Sequence, residues 1–522
     1  MAQAPDEAAR DVSRRGGARG PWVVLAALAL GAMMDALDST VVAIANPSIG
    51  AEFGTTLDQL EWVTNGYMLA TAAFLITAGK FGDTFGHRRV FLIGVVAFVI
   101  SSVLAGLATG IGQLIVFRVL QGASGSLLIP TALAIIAATF PEDKVKSAFG
   151  VFMGSFAIGG ASGPFVGGLL VQHLDWRWVF FVNVALGAIA FAVTAAVVPR
   201  TAPAGSTRPF DAPGVALLTI ALTGLVWAVV EVPEHGWLGG YPVAGFATAL
   251  VAGAAFVYRE TTTSGPFLPL DLFRRAPVVA SALSLLIAGG LMFGSWFYLA
   301  LYLQQVRGFG PVQAGLALMP VNVVFLFSSS LAGHLNQRFG PRLPVITGFL
   351  LVAVALAGFT NLTETSSYHA IWPFLLALSV GVSFIGPATQ VIVGHAPPAL
   401  SGIASGLGQT ALMFGSVLSI AVLGTVIATS VGRTLPGELN AAGVPGDVAA
   451  GYGGAASSIA QGSVPVPPGV SPDVASAIVR AGHAAFMDGF RLAALAAAGV
   501  VLVSALLGLL IRTPPPDRSR AA

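Results

Sequence analysis

Two aspartates and one arginine lie in segments that are otherwise apolar. Asp35 and Asp38 belong to the stretch GAMMDALDST, and no other charged residue occurs between Trp22 and Ile49. Residues three positions apart are neighbours on a helix surface, so the two carboxylates share a face. Arg118 is the single charged residue between positions 111 and 139. Burial disfavours a charged carboxylate and a nearby guanidinium favours it, so such a pair can bind and release a proton.

The two oppositely charged groups are predicted to lie at similar depths. With Pro47 at the outer end of one helix and Ile111 at the outer end of another, a rise of about 1.5 Å per residue puts Asp38 about 14 Å deep and Arg118 about 11 Å deep. A buried arginine costs about 2.5–3.5 kcal/mol on insertion scales and therefore needs a partner. Two interpretations stay open: a static pair that fixes helix packing, or a pair that handles protons. Apart from Glu231 at the rim of a span, no further acid is expected within the membrane.

The composition indicates a membrane protein. Of the 522 residues, 55% are hydrophobic and only 9% are charged, whereas soluble domains carry about a quarter charged residues. The net charge of +2 does not indicate nucleic-acid binding, and the lack of cysteine excludes disulfides and thiolate metal sites. No metal site is predicted. The apolar stretch that follows the N-terminal arginines is too long for the core of a cleaved signal, so it is interpreted as the first span.

The sequence predicts fourteen transmembrane helices and no strands, each span needing about 20 apolar residues. An even number places both termini on one side. With that side cytoplasmic, 19 of the 25 Lys and Arg residues fall in cytoplasmic segments and four in outer loops, as the positive-inside rule requires. The alternative has twelve spans with 212–258 as a re-entrant or interfacial pair, but each of those two runs is long enough to cross. The predicted limits are 21–48, 58–79, 88–108, 111–139, 145–172, 175–199, 212–231, 240–258, 277–303, 311–333, 342–361, 370–393, 401–430 and 488–511.

An internal repeat groups these spans. The loops GKFGDTFGHRR, residues 79–89, and GHLNQRFGPRL, residues 333–343, align at an offset of 254, which also pairs Ser147 with Ser401 and Gly154 with Gly408. Parallel repeats are typical of alternating-access transporters, whose substrate site lies between the two bundles. The predicted organisation is a cytoplasmic tail 1–20, a six-helix bundle 21–200, a linker 201–211, two inserted helices 212–258, a cytoplasmic linker 259–276, a second bundle 277–511 and a cytoplasmic tail 512–522. The second bundle contains a long outer loop 431–486, which is expected to be largely mobile except for a short helix from Ala475 to Phe486 that leads into span 14.

Four motifs occur in order along the chain. They are LDSTVVAIANPSI, GKFGDTFGHRRVFLIG, RVLQGASGS, and GGASGPFVGG followed by WRWVFFVNVALG. Together they resemble the major facilitator superfamily, and within it the fourteen-helix drug:proton antiporter branch. The resemblance runs from about residue 20 to about residue 511. The chain departs from the family at Ala185, where proline is common, and at Gln337, which stands where the first loop copy has Asp83. The resemblance implies a proton-coupled exporter of lipophilic drugs in the cytoplasmic membrane. Such an exporter uses the proton gradient and no cofactor, and we expect it to be monomeric.

The resemblance also assigns roles to residues. It places the proton carrier at Asp38, beside Arg118, whereas Asp35 is added from this sequence alone. It makes the loop between spans 2 and 3 a gate, in which Asp83 would face the positive N-terminal end of span 13 near Ser401. The simpler interpretation is a hairpin whose basic residues only set the topology. The predicted gating residues are Gly79, Asp83, Gly86 and Arg88.

Span 5 carries a face of small residues. Gly159, Gly163 and Gly167 recur at four-residue spacing, which permits close approach by a neighbouring helix. Pro164 and Gly168 predict a kink. Helix packing alone would account for the pattern, and the resemblance implies in addition a bending or sealing element between the bundles.

The predicted substrate cavity is aromatic, with few amide groups. Such a cavity suits lipophilic, loosely specified molecules, with cations favoured by the ring faces. An ATP-driven pump is disfavoured because no G-x-x-x-x-G-K-[ST] motif occurs. An enzyme is not expected, because neither H-E-x-x-H nor G-x-S-x-G occurs. Export of lipids or cell-envelope components on the same fold stays open. The cavity candidates are Trp62, Asn65, Tyr67, Gln121, Phe293, Trp296, Phe297, Tyr298 and Asn322.

Overall fold

The computed structural model describes residues 20–511 apart from 56, 199–210, 264–269, 396–400, 461–463 and 468. Residues 1–19 of the predicted first tail, the whole of the predicted tail 512–522 and nearly all of the linker 201–211 therefore lie outside the described residues. Within the described part, every regular element is a helix.

The helices follow the predicted spans and are numbered α1 to α14 here. Thirteen of them are long and apolar enough to cross a membrane among the described residues, and the 29-residue α2 accounts for the remaining predicted span. The predicted all-helical membrane fold is confirmed, and the predicted count of fourteen spans is approximately consistent with the thirteen found in this part of the chain. The bounds are α1 Pro21–Phe53, α2 Leu57–Phe85, α3 His87–Gly106, α4 Ile111–Thr139, α5 Glu142–His173, α6 Trp178–Val197, α7 Ala212–Val230, α8 Gly240–Thr262, α9 Ala276–Leu301, α10 Pro311–Phe339, α11 Arg342–Phe359, α12 Tyr368–His395, α13 Ser401–Ala441 and α14 Pro472–Leu507.

Helix pairing repeats between the two halves of the chain. In the first half α1 packs on α5, α2 on α4 and α3 on α6, and in the second half α9 packs on α13, α10 on α12 and α11 on α14. The two halves meet where α5 packs on α10 and α2 packs on α13, which are equivalent contacts under the repeat. The molecule is therefore two six-helix bundles related by a parallel repeat. The inserted pair, α7 and α8, pack on each other, and α7 also contacts α2 and α13.

Local details support the same repeat. Gly86 and Gly340, which the sequence repeat aligns, both adopt positive φ angles, 91° and 76°, a conformation that glycine adopts without a Cβ penalty. The equivalent helices α4 and α12 are both interrupted by a turn, after Gly125 and after Ile385 respectively. Several helices begin at a proline, as α1 does at Pro21, where the missing N–H costs no internal hydrogen bond.

The predicted mobile loop 431–486 is corrected by the structure. α13 continues to Ala441 and α14 begins at Pro472, so the connection is shorter than predicted, and the helix predicted from Ala475 to Phe486 is present as the first part of α14. Two short helices, Gly446–Ala450 and Ala456–Ala460, lie within it. Its apolar residues are used for packing: Val431, Ile459 and Ile478 are all fully buried. The prediction failed because the Gly, Ala and Pro content masked these widely spaced apolar positions.

Two faces of the molecule are distinguished below. The amino-terminal face is the one at which α1 begins and α14 ends, and the sequence predicts it to be cytoplasmic. The opposite face is the one at which α1 ends and α2 begins.

Candidate functional site

Asp38 and Arg118 form a buried ion pair between α1 and α4. The Arg118 Nη1 atom lies 2.5 Å from Asp38 Oδ2, and the side chains are 1% and 0% exposed. The predicted contact is therefore present. A buried pair of this kind is stable only when further hydrogen bonds satisfy the remaining polar atoms, and the surroundings supply them.

The second carboxylate oxygen of Asp38 is bound by two amides. Gln121 Nε2 donates to Asp38 Oδ1 over 2.9 Å, and Asn183 Nδ2 donates to the same oxygen over 2.6 Å. Both amides also donate to Ser102 Oγ, over 3.1 and 3.0 Å. Ser102 in turn donates to the Phe180 carbonyl over 2.8 Å. The cluster thus joins α1, α3, α4 and α6.

Arg118 is also held by groups other than Asp38. Its Nε donates to the Val63 carbonyl over 3.1 Å and its Nη1 to Gln121 Oε1 over 2.7 Å. Its guanidinium carbon lies 4.2 Å from the centre of the Tyr67 ring, a cation–π contact that also favours the charge. These contacts offset the desolvation of the arginine, which explains how a charge is accommodated in mid-span.

The donors around Asp38 suit its ionised form. Arg118, Gln121 and Asn183 all direct N–H groups at its oxygens, and an ionised carboxylate only accepts hydrogen bonds. A proton on Asp38 would remove the negative charge that attracts the Arg118 guanidinium, so this cluster would be held less tightly.

Asp35 is not part of the Asp38–Arg118 ion pair. Its Oδ1 accepts a hydrogen bond from the Tyr67 hydroxyl over 2.5 Å, and the residue is 6% exposed. Tyr67 also stacks on Arg118, so the two aspartates are connected through one aromatic ring. Tyr67 was predicted to line a substrate cavity, and the structure places it in the acidic cluster instead.

The small-residue face of α5 packs against α1. A Cβ added at Gly159 would lie 2.6 Å from the Met33 carbonyl, and one at Gly167 would lie 2.8 Å from Val41 Cγ2. Gly163 faces Thr40 and lies one turn from Gly160, whose carbonyl accepts a hydrogen bond from Thr40 Oγ1 over 3.1 Å. The close helix approach predicted from the spacing is present, and it holds the helix that carries both aspartates.

Pro164 and Gly168 belong to a different contact. A Cβ at Gly168 would lie 2.6 Å from the Pro311 carbonyl on α10, and one at Gly315 of α10 would overlap the Pro164 carbonyl. Further along the same interface, Asn322 Nδ2 donates to the Gly160 carbonyl over 3.2 Å. These contacts close the two bundles against each other from about the middle of α5 to the opposite face.

Part of the predicted gating loop can be described. Gly79 and Asp83 lie on α2 and Ser401 begins α13, whereas the side chains of Asp83 and Ser401 are not described. Gly86 forms the turn between α2 and α3 with its positive φ. Arg88 Nη2 donates to the Ala195 carbonyl at the end of α6 over 2.7 Å. Arg88 therefore ties the loop to its own bundle on the amino-terminal face.

The remaining cavity candidates are distributed rather than gathered in one place. Gln121 belongs to the Asp38 cluster, and Asn322 belongs to the contact between the bundles. Asn65 and Trp296 are buried, and Trp62 is partly buried. The rings of Phe293 and Trp296 lie 6.4 Å apart edge to face, and those of Phe297 and Tyr298 lie 4.9 Å apart. The aromatic run on α9 mainly packs on itself and on its neighbours.

An apolar cavity of about 350 Å³ lies inside the second bundle. Its walls come from α9, α11, α13 and α14, and Tyr298 is the one predicted cavity residue on them. Half-exposed residues such as Val422 and Val500 also line it, so it opens to the side of the helix bundle. Within the described part of the chain, no group of three or more acidic or histidine side chains could hold a metal ion.

Two residues of these clusters were missed by the sequence interpretation. Asn183 is a lone amide in the apolar span 6, and its position in the motif WRWVFFVNVALG was the available signal. Glu61 contradicts the expectation that no further acid lies within a span, because it is on α2 and 3% exposed. Its Oε1 lies 2.7 Å from the Tyr298 hydroxyl of the other bundle. Glu61 lies near the start of its span, where the packing of the second bundle buries it.

Comparison with known proteins identifies relatives of this chain. The family model described as Major Facilitator Superfamily matches residues 28–420. The tetracenomycin C resistance and export protein of Streptomyces glaucescens is 39% identical over 507 residues, which cover 96% of this chain and 94% of that protein. The multidrug efflux pump LfrA of Mycolicibacterium smegmatis is 31% identical over 486 residues, covering 93% and 95%.

Solved structures share the fold. A bacterial homologue of the human lysosomal transporter Spinster, crystallised in an inward-facing and unoccupied conformation, superposes with a TM-score of 0.64 at 19% identity. The match covers 96% of this chain and 100% of that one. At this level of identity the likeness concerns the fold alone.

Proposed function

The chain belongs to the Major Facilitator Superfamily, and from this premise we propose that it exports lipophilic, often cationic drugs or antibiotics by exchange for protons. The buried Asp38–Arg118 cluster is the observation that carries the proposal. It places a carboxylate in the interior of a transporter fold, held by three donors that include a guanidinium. The names of relatives with nearly full-length similarity support antibiotics as the cargo.

Alternating access follows from the two-bundle architecture. The contacts between α5 and α10, together with those between α2 and α13, close the opposite face in this arrangement. In such a state the donors around Asp38 suit its ionised form. Opening of the opposite face would separate the bundles and let the cluster rearrange, so that a proton can enter from that side. Substrate leaves in the same step, which couples the two fluxes.

The proposed location is the cytoplasmic membrane, with both termini and the amino-terminal face in the cytoplasm. The distribution of Lys and Arg among the loops supports this orientation. The protein would act as a monomer, since each chain contains both bundles and the interface between them. It would need no cofactor, because the proton gradient supplies the energy.

Export of lipids or cell-envelope components is the second candidate function. The laterally open apolar cavity among α9, α13 and α14 favours it, because a lipid chain could enter from the bilayer without crossing water. The transport assay below therefore includes labelled lipids beside drugs.

The coupling is tested in inverted membrane vesicles that contain the protein. We expect uptake of dyes or antibiotics only with an imposed pH gradient, accompanied by proton movement in the opposite direction and independent of nucleotide. Vesicles without the protein are the control. Transport that continues after the gradient is collapsed, with ATP present, would contradict the proposal. Uptake of labelled lipids alone would select the second candidate.

The gating loop gives a second expected result. Asp83→Asn should slow turnover about two- to fivefold, the equivalent of losing about 0.3–1 kcal/mol at a helix N-terminus, with substrate affinity near normal. Arg88→Ala should act similarly because it releases the loop from the Ala195 carbonyl. Initial rates over a range of substrate concentrations separate turnover from affinity. If both variants, at equal expression, transported at the unchanged rate, the loop would serve only to set the membrane topology.

A further inference from the structure

A proline in the middle of α5 leaves one backbone carbonyl without its usual helical donor. In an α-helix each carbonyl accepts a hydrogen bond from the N–H group four residues later, and proline has no N–H. Pro164 lies inside α5, so the carbonyl of Gly160 lacks this donor. The proline ring also pushes against the carbonyl four residues before it. The Gly160 carbonyl is therefore available to donors outside its own helix.

Two neighbouring helices supply donors to this carbonyl. Asn322 Nδ2 on α10 lies 3.2 Å from the Gly160 oxygen, and Thr40 Oγ1 on α1 lies 3.1 Å from it. A carbonyl oxygen has two lone pairs, so it can accept from both. The Thr40 hydroxyl has one hydrogen and also lies 3.1 and 3.3 Å from the Leu37 and Ala36 carbonyls of its own helix. Asn322 is thus the donor that this carbonyl receives from the other bundle.

The contact between Asn322 and Gly160 depends on close approach of the two backbones. A Cβ at Gly315 of α10 would overlap the Pro164 carbonyl, so a glycine is needed for this approach. Asn322 lies two helical turns further along α10 and is 4% exposed. Its short amide side chain therefore reaches the Gly160 carbonyl only while α5 and α10 are in contact, which is the arrangement that closes the opposite face.

The equivalent interface between α2 and α13 is built differently. The internal repeat, at its offset of 254, places Leu418 where α5 has Pro164, and Met68 where α10 has Asn322. Leucine has the N–H group that proline lacks. The Met68 sulfur lies 3.1 Å from the Ser416 hydroxyl oxygen, so the contact at this position is made by side chains alone. The proline and the amide therefore differ together from their repeat equivalents, as two parts of one contact would.

We propose that Asn322 is a positioning residue that holds the opposite face closed by donating to the Gly160 carbonyl, which Pro164 leaves free. The proposal rests on the alternating access proposed above. When the face opens, α10 moves away from α5 and Asn322 loses this acceptor. Thr40 belongs to the same bundle as Gly160, so its contact can persist in both states. The amide contact thus stabilises the closed state alone, and Pro164 acts through the hydrogen bond that it removes from α5 as well as through the shape of that helix.

Removal of the amide should shift the equilibrium towards the open state. Asn322→Leu should lower the ratio of closed to open molecules about two- to tenfold, as loss of one hydrogen bond predicts. Pro164→Ala supplies the missing N–H to the Gly160 carbonyl, so the carbonyl then depends less on Asn322. In the Pro164→Ala background, Asn322→Leu should therefore lower the ratio by a smaller factor than in the parent. Such non-additivity is expected of groups that take part in one contact.

The test measures the distance between spin labels across the opposite face. The chain has no cysteine, so labels at Thr109→Cys and Asn361→Cys, exposed positions of the first and second bundle, report only the separation of the bundles. Pulsed electron resonance on purified full-length protein, without substrate, gives the ratio of short to long distances. The four proteins compared are the labelled parent, Asn322→Leu, Pro164→Ala and the double variant. A residue that only bound substrate would leave these distances unchanged.

Ser379→Ala is the matched control, because its hydroxyl donates to the Val321 carbonyl of α10, beside Asn322, from α12 of the same bundle. It should leave the ratio unchanged.

The proposal is overturned if Asn322→Leu leaves the ratio unchanged, or if it lowers the ratio equally in the Pro164 and Pro164→Ala backgrounds. Size-exclusion chromatography verifies folding. Pro164→Gly restores the same N–H, and Asn322→Ala removes the same amide, so each can replace a variant that misfolds. Because the measurement contains neither substrate nor gradient, a failure of drug export leaves its outcome unaffected.

Discussion

Asp38→Asn is expected to abolish proton-coupled export of every substrate. The asparagine has no titratable group, and its neighbours Gln121 and Asn183 cannot accept a proton in its place. The assay is gradient-driven uptake into inverted vesicles, with proton movement recorded at the same time. We expect both signals to fall to the level of vesicles without the protein, whereas passive exchange of substrate down its own gradient can persist.

Folding must be separated from coupling in this variant. Removing one partner of a buried ion pair leaves an uncompensated charge, at a cost of about 3–5 kcal/mol. The double variant Asp38→Asn with Arg118→Gln removes that charge and should restore stability without restoring transport. Ser102→Ala is a matched control, since it removes a hydrogen-bond partner of both amides but leaves the acid in place. Coupled export by the double variant would show that the proton carrier lies elsewhere.

Asp35→Asn should separate substrates by their charge. Asp35 is bound by Tyr67 rather than by Arg118, so no direct ion pair competes with a substrate cation for its carboxylate. It lies nearer the amino-terminal face than Asp38, on the side from which substrate would enter. In a medium of effective dielectric constant 20, a cation about 4 Å from a carboxylate gains about 4 kcal/mol. We therefore expect export of cationic substrates to fall about tenfold or more, and neutral substrates to stay within a few-fold.

The comparison requires a cationic and a neutral substrate of similar size and lipophilicity. Tyr67→Phe is the matched control, because it removes the hydroxyl that binds Asp35 and keeps both the carboxylate and the aromatic ring beside Arg118. It should retain cation export. If Asp35→Asn reduced export of cationic and neutral substrates equally, the two aspartates would instead act together in handling protons.

Fold class and the position of most spans follow from local properties of the chain. A span is recognisable because about 20 apolar residues must cross the bilayer with their backbone groups satisfied internally, and this needs no knowledge of neighbours. The pairing of Asp38 with Arg118 was also predictable, because helix geometry sets the depth of each charge and a buried arginine requires a partner. The loop glycines Gly86 and Gly340 helped to reveal the two-bundle organisation, because their positive φ angles favour glycine at both equivalent positions.

Tertiary structure decided the contacts that depend on which helix faces meet. Glu61 is near the start of a span and would be interfacial on its own helix, but α9 and α13 bury it against Tyr298. Asn183 joins the Asp38 cluster because α6 presents that face to α1, and Tyr67 binds Asp35 for the same kind of reason. The apolar residues of 431–486 were likewise underestimated, because their burial depends on partners far along the chain. Such contacts depend on the rotation of each helix about its axis, which packing of the whole bundle determines and a single segment does not encode.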